Sequence, residues 1–361
     1  MPRLLVVNDY PLQGMLAQVR AGEVPDQLLY GVNQMMDAGW SVETIELPER
    51  TPGRLERFVN RLLPLGDPRH QLRVLRHSRP FDLVYAACHT QTQALQYARR
   101  LRWFRKPVVV LTHHPILPGR LRPLRTRQLR WRSLGADAIP TLSQVVAGEI
   151  NALVPGRARA LPWGPDLKFY QPGNGPRSGI LTAGRSRRDL LTFGRAATLV
   201  GCPATIICLE SDVLPEFARF GPNVTVIARP RNRWMSYREL TGMMSSSLAI
   251  AIPLIDQPWL CGLSSLADAM GMGLPVIMTR NRCIDIDVER EGIGHWVRPG
   301  SVEEWVTAMR RLCAQPAEAR AMGDRSLALA RRRYNSRLFT QELMALCEQA
   351  LAPAAGGGPR R

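Results

Sequence analysis

The residues best suited to chemistry form a glycine turn that leads into a short helical pattern. Gly262 and Leu263 precede Ser264 and Ser265, and Asp268 follows one turn later. A serine at such a place can cap a helix, and the unbonded N–H groups of a helix start attract anions such as phosphate. The Asp268 carboxylate can accept hydrogen bonds from the two hydroxyls of a ribose. The alternative is a capped helix that simply ends at the following Gly-Leu-Pro.

A basic loop is the second candidate for chemistry. Gly184 follows the apolar run 179–183 and is itself followed by Arg185, Arg187 and Arg188. Fixed cations bind phosphate groups, and they stabilise a leaving group on which negative charge develops in the transition state. Arg185 and Arg188 are the candidates for this catalytic role, although spacing alone does not decide which side chains turn inward. A solvated face is the alternative for each arginine.

Two predicted strands deliver histidines at their carboxyl ends. His113 and His114 follow the run 108–112, and His89 follows the run 83–86. Ligands of open α/β sheets bind at this edge of the sheet. A histidine there can donate a hydrogen bond to a hydroxyl or a phosphate, and its charge can change near neutral pH. A structural role is the alternative for each histidine.

The net charge of +18 requires an explanation, because self-repulsion destabilises a compact chain. From Arg99 to Arg132 there are eleven arginines and lysines and no acidic residue, with leucines and tryptophans between them. Three interpretations are open: a solvated surface, an anionic acceptor, or contact with anionic phospholipids at the inner face of the membrane. Nucleic acid is not expected as a partner, because no nucleic-acid-binding motif accompanies the charge.

Cysteine usage and missing motifs narrow the class of protein. The seven cysteines are scattered without a Cys-x-x-Cys pair, which indicates a reducing compartment and no disulfide or zinc framework. No cluster has metal-ligand spacing, and neither a phosphate loop nor a Gly-x-Ser-x-Gly hydrolase turn is present. No stretch approaches the about 20 apolar residues that span a bilayer, and no signal peptide is evident. We therefore expect a cytoplasmic protein.

Short apolar runs alternate with helical patterns, which predicts parallel sheets covered by helices. In the first half the predicted strands are 4–7, 41–47, 83–86, 108–112 and 138–141, with helical stretches at 26–38 and 92–101. In the second half the predicted strands are 179–183, 204–209, 224–228, 248–253 and 275–279, and a last helical stretch covers 317–351. The predicted fold class is α/β, with two Rossmann-like, doubly wound domains that face each other across a cleft.

A pause in this alternation around 162–177, rich in proline and glycine, indicates the domain boundary. The first predicted domain covers 1–165 and the second covers 166–351. The last ten residues, 352–361, consist of alanine, proline and glycine before two arginines and predict a disordered tail.

The order of four motifs resembles the retaining nucleotide-sugar glycosyltransferases of the GT-B fold (glycosyl transferases group 1, family 4-like). The run 262–277 combines a glycine turn, an acidic helix residue and the sequence Ala-Met-x-x-Gly-x-Pro-Val, as this family does. The segment 182–189 is similar to the family's strand-Gly-Arg loop, and 162–170 is similar to its hinge sequence. The segment 292–300 is similar to the stretch that follows the donor site. The resemblance covers most of the second half.

The resemblance implies transfer of a sugar from a nucleoside diphosphate sugar to an acceptor, with retention of configuration and without a tightly bound metal or other cofactor. The first domain would bind the acceptor, and the last helix would return to that domain. His113 matches a histidine that faces the donor sugar, His89 is expected on the acceptor side, and Gly14 matches part of a glycine-rich acceptor loop. The residues that match the donor site are Gly184, Gly262, Leu263, Ser264, Ser265 and Asp268.

One departure concerns the first of two acidic residues that the family places eight positions apart. That position is Leu260 here, and the second residue is Asp268 where the family has glutamate. Asp256 is the nearest upstream carboxylate, and we take it as the candidate for contact with the transferred sugar. The departure leaves two alternatives open: a nucleotide-sugar epimerase of the same architecture, and a catalytically silent nucleotide-sugar-binding protein.

Overall fold

The computed structural model describes residues 1–9, 11–47, 53, 57–58, 67–89, 92–116 and 122–352. The chain forms two compact units. The first contains 1–17, 28–162 and the residues from 337 onward, and the second contains 18–27 and 163–336. The sequence analysis did not anticipate that 18–27 belong to the second unit. Of the predicted tail, 353–361 lie outside the described residues.

The first unit is built on a parallel sheet with the strand order β2-β1-β3-β4, and a β5-β6 pair continues it through two bridges. From Leu4 to Val7 the side chains of β1 are fully buried, as expected for a strand that is covered on both faces. The strands are β1 (Arg3–Asn8), β2 (Ser41–Glu46), β3 (Leu83–Ala86), β4 (Val108–Val110), β5 (Ile139–Thr141) and β6 (Ala158–Ala160). The helices are α1 (Leu12–Arg20), α2 (Val32–Asp37), α3 (Pro68–His77), α4 (Gln93–Arg100), α5 (Arg122–Ser133) and α6 (Gln144–Leu153).

The helix predicted over 26–38 is interrupted in the structure. A 3-10 helix covers Asp26–Leu29, and α2 starts only at Val32. Between them Tyr30 and Gly31 have φ values of 47° and 87°, which lie in the left-handed region. Left-handed residues end a right-handed helix, and Gly31 adopts this conformation without steric cost. Apolar periodicity does not report such a break, so the prediction of one continuous helix was wrong here.

The second unit contains a six-stranded parallel sheet with the order β12-β11-β10-β7-β8-β9. The rings of Phe193 and Trp305 meet edge to face in its core, with centroids 5.5 Å apart. The strands are β7 (Ile180–Ala183), β8 (Ala204–Leu209), β9 (Val224–Arg229), β10 (Ala249–Ile252), β11 (Val276–Thr279) and β12 (Gly294–Val297). The helices are α7 (Leu190–Val200), α8 (Tyr237–Ser246), α9 (Leu263–Gly271), α10 (Val302–Ala314) and α11 (Pro316–Arg332).

The last helical stretch, predicted as continuous over 317–351, consists of α11 and a separate helix α12 (Ser336–Leu351). Asn335 lies in the interruption, and its Nδ2 donates to the Ala330 carbonyl at 2.9 Å. This bond satisfies a carbonyl at the end of α11 that has no partner within the helix. From Arg337 onward α12 belongs to the first unit, where Glu342 pairs with Arg159 at 2.6 Å.

Candidate active site

The site lies in the second unit, where the strand order reverses between β7 and β10. Ligands of doubly wound sheets bind beyond the carboxyl ends of the strands at such a point. The loop after β7 and the loop after β10 are joined there by backbone hydrogen bonds. Asp189 N–H donates to the Pro253 carbonyl at 3.2 Å, and Ile255 N–H donates to the Arg187 carbonyl at 3.1 Å. These bonds hold the basic loop beside the segment that leads into α9.

Gly262 sets the direction of α9. It is the N-cap residue and has a φ of 83°, in the left-handed region. A Cβ at this position would lie 2.7 Å from Met278 Cε and 2.9 Å from Ile252 Cγ2, so a larger residue does not fit. The Leu266 N–H donates to the Gly262 carbonyl at 2.9 Å, and the N–H groups of the three preceding residues lie before the first helical hydrogen bond. The helix therefore begins with the open amides that an anion requires.

The serines of α9 do not have the capping role predicted for them. No side chain caps the helix among the described residues, since Gly262 is the N-cap residue. Ser264 is exposed, whereas the Oγ of Ser265 accepts a hydrogen bond from Nη2 of Arg188 at 2.7 Å. The prediction of a serine cap was wrong because the helix begins earlier than expected. Gly262 is its N-cap residue, so both serines lie within the helix.

Arg188 brings a positive charge to the start of α9. Its Nε and Nη1 are buried and have no hydrogen-bond partner in the described part of the chain. Burial lowers the pKa of Arg188 to about 10, while Cys261 and Asp268 act in the opposite direction. Gly184 makes room for this side chain, because a Cβ there would lie 2.1 Å from the Arg188 Nε. A cation next to the positive end of a helix is unfavourable unless an anion lies between them.

The other two arginines of the basic loop are exposed. The guanidinium of Arg185 lies over the ring of Trp234, 5.6 Å from its centroid. The structure thus separates the predicted pair: Arg188 contacts the start of α9, and Arg185 forms a cation–π contact elsewhere on the loop.

Asp268 is buried, with 7% of its surface exposed. The Tyr170 hydroxyl donates to its Oδ1 at 2.5 Å, and Gln27 Nε2 lies 3.3 Å from the same oxygen. Burial raises the pKa of Asp268 to about 7, although the Tyr170 hydrogen bond and the charge of Arg188 both lower it. Both of these donors contact Oδ1, and neither contacts Oδ2.

Gln27 and Tyr170 are members of the site that sequence reasoning missed. Gln27 Nε2 donates to the Tyr170 hydroxyl at 2.8 Å, and its Oε1 accepts the Asp166 N–H at 2.7 Å. Tyr170 lies in the hinge-like segment 162–170, which the sequence analysis identified without assigning a role to this residue. Gln27 comes from a segment far away in the chain, and no local pattern marks it. Together they fix the Asp268 carboxyl in one orientation.

Asp256 is exposed and lies on the loop after β10. It lines an open pocket of about 950 Å³ together with Arg280, Asn281 and Trp296. No described contact joins it to Arg188 or Asp268. Leu260, at the position of the family's first acidic residue, is 7% exposed and belongs to the core.

The histidines of the first unit lie where the sequence predicted, at the ends of β3 and β4. His113 Nε2 lies 2.9 Å from the Ala87 carbonyl, and its ring contacts that of Tyr30 with centroids 4.8 Å apart. Burial lowers the pKa of His113 to about 4, so the ring is neutral at pH 7. The Nε2 therefore carries the proton and donates to the carbonyl. His89 is also neutral, because burial and the charge of Arg132 lower its pKa to about 3.

Gly14 does not lie in the loop that the resemblance implied, and its place on the acceptor side stays a prediction. Gly14 lies within α1, and no atom would contact a Cβ added to it. Nothing in this geometry requires a glycine. The short apolar strand β1 passes into a helix after only a few residues, and the sequence pattern did not resolve that transition.

Comparisons with known proteins agree with this architecture. No protein-family model matches the chain. In sequence it is similar to the MMP alpha-(1->4)-mannosyltransferase of Mycolicibacterium hassiacum, with 26% identity over 306 residues that cover 76% of this chain and 72% of that protein. In structure it is similar to sucrose-phosphate synthase from Thermosynechococcus elongatus, with a TM-score of 0.69, 16% identity, and coverage of 97% of this chain and 99% of that one. It is also similar to Anabaena HepE in complex with UDP-glucose, with a TM-score of 0.64, 14% identity, and coverage of 97% and 100%.

The structural neighbours confirm the predicted fold class, an α/β protein with the two Rossmann-like units of GT-B glycosyltransferases. The sequence relative is a mannosyltransferase, and this confirms the predicted class of protein, a glycosyltransferase. Neither the epimerase nor the silent binding protein gains support from the comparisons. Within the described residues, no helix is long and apolar enough to cross a membrane. Those residues also contain no group of three or more His, Cys, Asp or Glu side chains arranged to hold a metal ion.

Proposed function

We propose that the chain transfers a glycosyl group from a nucleoside diphosphate sugar to an acceptor and that the diphosphate binds at the start of α9. The observation that carries this proposal is the Arg188 guanidinium beside the open amides of that helix: its Nη2 donates to Ser265, but its Nε and Nη1 have no partner among the described residues. Both groups are positive, and each is satisfied by a phosphate oxygen. A diphosphate has two phosphate groups to offer, one for the amides and one for Arg188.

The chemistry follows from this placement. When the bond between the sugar and the diphosphate breaks, negative charge accumulates on the departing phosphate. Arg188 and the amides lie where they stabilise that charge, and they need no reorganisation during the reaction. With retention of configuration, the departing phosphate oxygen itself accepts the acceptor proton, so that no separate general base is required. Asp268 holds the ribose through Oδ2.

Three further roles belong to the proposal and rest on position. Arg185 remains a candidate for the outer phosphate, because it is exposed and lies in the same loop as Arg188. Asp256 supplies the carboxylate that contacts the transferred sugar, and its loop leads directly into Gly262. His113 is neutral and held by the Ala87 carbonyl, and it forms a hydrogen bond with a hydroxyl of the sugar.

The proposal is tested by thermal-shift measurements with a panel of nucleoside diphosphate sugars that includes mannosyl and glucosyl donors. A donor at 100 times its Kd is expected to stabilise the folded chain by about 2.7 kcal/mol. Mass spectrometry of the donor with protein alone distinguishes an epimerase, which would convert it without an acceptor. Release of nucleoside diphosphate that depends on an acceptor distinguishes the transferase from a silent binding protein. Repeating the assay with EDTA tests the expected independence from a bound metal.

The first unit presents a surface that suits an anionic membrane, and we include this partner in the proposal. Trp103 is 81% exposed and Leu124 is 71% exposed, whereas the neighbouring Phe104 is buried as an anchor. Exposed arginines lie near them in the sequence, at positions 100, 102, 105, 127 and 130. Apolar side chains among cations are typical of surfaces that insert shallowly between anionic headgroups. This location corresponds to a cytoplasmic protein that binds the inner face of the membrane.

Vesicle flotation tests the membrane contact. The wild-type chain is expected to float with vesicles that contain anionic phospholipid and to stay unbound with neutral vesicles. Salt should weaken this binding, because it screens an attraction of about 1 kcal/mol of binding free energy per basic residue. Replacing Trp103 and Leu124 by serine should reduce binding without a loss of folding, because both side chains are exposed. Equal flotation with both kinds of vesicle, or none with either, would remove the membrane from the proposal.

A further inference from the structure

A second guanidinium in the described chain lacks an acidic partner, and it lies in the first unit. Arg132 is 7% exposed, and its Nε has no hydrogen-bond partner among the described residues. Arg99, in the neighbouring helix α4, shows the usual solution: its Nε and Nη2 donate to the two oxygens of Asp137 at 3.1 and 2.9 Å. An unpaired buried charge costs free energy, so a partner beyond the described residues would stabilise it.

The surroundings of Arg132 contain hydrogen-bond donors. Arg132 lies in the last turn of α5, next to α4: the ring of the preceding Trp131 contacts that of Tyr97 in α4, with centroids 5.3 Å apart. The charge of Arg132 acts on His89, and so do those of His113 and His114. The ring centroids of His113 and His114 lie 6.3 Å apart. The Nδ1 of His89 is buried and has no partner in the described chain.

Asp9 is the described acidic residue of this neighbourhood, and it contacts other groups than Arg132. Asp9 accepts a hydrogen bond from the Cys88 thiol, with 3.3 Å between Sγ and Oδ2, and its charge acts on His113. The group that favours the charge of Arg132 is the Tyr97 hydroxyl, and burial lowers the Arg132 pKa. Among the described residues the Arg132 guanidinium therefore has no carboxylate partner, whereas His89 and His113 are neutral at pH 7.

We propose that Arg132 and His89 bind an oxyanion, namely the phosphate or carboxylate group of an anionic acceptor. A guanidinium presents parallel N–H groups that match two oxygens of such an anion, and a neutral histidine adds a further N–H. His89 follows the carboxyl end of β3, and this edge of the sheet is where ligands of open α/β folds bind. The assignment of the anion to an acceptor rests on the proposed function, whereas the binding of the anion does not.

The test uses the full chain, inorganic phosphate and no donor. Because Arg188 is a separate anion site, the measurement is made in an Arg188→Met background. Phosphate is expected to raise the Tm of this variant. Adding Arg132→Met should weaken the apparent affinity for phosphate by at least about tenfold, which is the loss of one charged hydrogen bond or more. Adding Arg79→Met, an exposed arginine of the first unit outside the proposed membrane surface, should leave the affinity unchanged.

Stability without phosphate supplies the second readout. Arg132→Met removes an uncompensated charge, so its Tm in phosphate-free buffer should equal or exceed that of the parent. A lower Tm, or failure to fold, would show that Arg132 is structural and would overturn the proposal. So would a phosphate effect that is already absent in the Arg188→Met background or that survives Arg132→Met. Acetate in place of phosphate distinguishes the two kinds of anion.

The proposed function and this inference fail separately. A chain that binds phosphate through Arg132 but shows no response to nucleoside diphosphate sugars would keep the anion site and lose the transferase chemistry. A chain that responds to donors but not to phosphate would keep the transferase chemistry and lose the anionic acceptor. Binding to anionic vesicles that Arg132→Met abolishes, without an effect of free phosphate, would assign the arginine to the membrane and also overturn the proposal.

Discussion

Replacing Arg188 with methionine is expected to lower kcat/KM for the donor by roughly tenfold to a hundredfold, because one charged hydrogen bond to the leaving group is lost. The same change should leave the Tm of the free protein unchanged or raise it. The Nε and Nη1 of Arg188 have no partner among the described residues, so the wild-type side chain lowers the stability of the free protein. Loss of activity together with retained stability is the signature of a group that is poised for a ligand. Steady-state kinetics and thermal unfolding of the same preparations measure both.

Two further variants sharpen the Arg188 prediction. Arg187→Met removes an exposed arginine of the same loop and should retain wild-type kinetics. Gly184→Ala leaves all arginines in place but puts a Cβ 2.1 Å from the Arg188 Nε, so it should reduce kcat/KM by displacing the guanidinium. Equal losses in the Arg187 and Arg188 variants would mean that the loop acts only through its overall charge. Unchanged kinetics in Arg188→Met would contradict the proposal that the diphosphate binds beside Arg188.

Much of the fold was predictable because parallel strands that are buried on both faces leave a strong sequence signal. The runs at β1, β3 and β10 are apolar at nearly every position, and turn residues follow each of them. Breaks within helical segments were not predictable in the same way. The stop at Gly31 and the interruption near Asn335 depend on backbone dihedral angles and on single side-chain hydrogen bonds, which apolar periodicity does not record.

The candidate site was predictable where one local segment supplies it. Gly262 and Asp268 lie in one short helical segment, and Arg188 lies in one loop, so their types and spacing were sufficient. The arginine that turns inward was not predictable, because space is what selects Arg188: the missing side chain of Gly184 leaves room for it. Gln27 was not predictable either, since its contact with Asp268 joins distant parts of the chain.

The two units share one feature, an at least partly buried arginine without a described carboxylate partner. Each contains a guanidinium with at least one buried nitrogen that has no hydrogen-bond partner among the described residues, Arg188 in the second unit and Arg132 in the first. Arg99, by contrast, has a carboxylate partner in Asp137. Unpaired arginines cost stability in the free protein and recover it when an anion binds. Both therefore predict a chain that oxyanions stabilise strongly, through two sites that substitutions can separate.

Substitution of Asp268 is expected to affect the donor in a pH-dependent way. The pKa of Asp268 is raised from 3.8 to about 7 by burial, so the group gains its negative charge as the pH rises through 7. A carboxylate accepts ribose hydroxyls better than a neutral carboxyl group does. Donor affinity of the wild type should therefore increase between pH 6 and 8, by up to about tenfold per pH unit below the pKa. Asp268→Asn should bind the donor more weakly and should lack this slope, and titration calorimetry at several pH values measures both.

The stability of the free protein should change in the opposite direction over the same range. A carboxyl group whose folded-state pKa lies above its unfolded value binds more protons when folded, so its contribution is complete below pH 3.8 and is lost as the pH rises toward 7. Asp268→Asn removes that dependence, and Tyr170→Phe should raise the Asp268 pKa further by removing a hydrogen bond to the charged form. The difference between wild type and Asp268→Asn cancels the titration of other groups. Parallel pH slopes for stability and donor affinity would show that the Asp268 charge does not serve the donor, because only a ligand that binds the carboxylate makes the two slopes diverge.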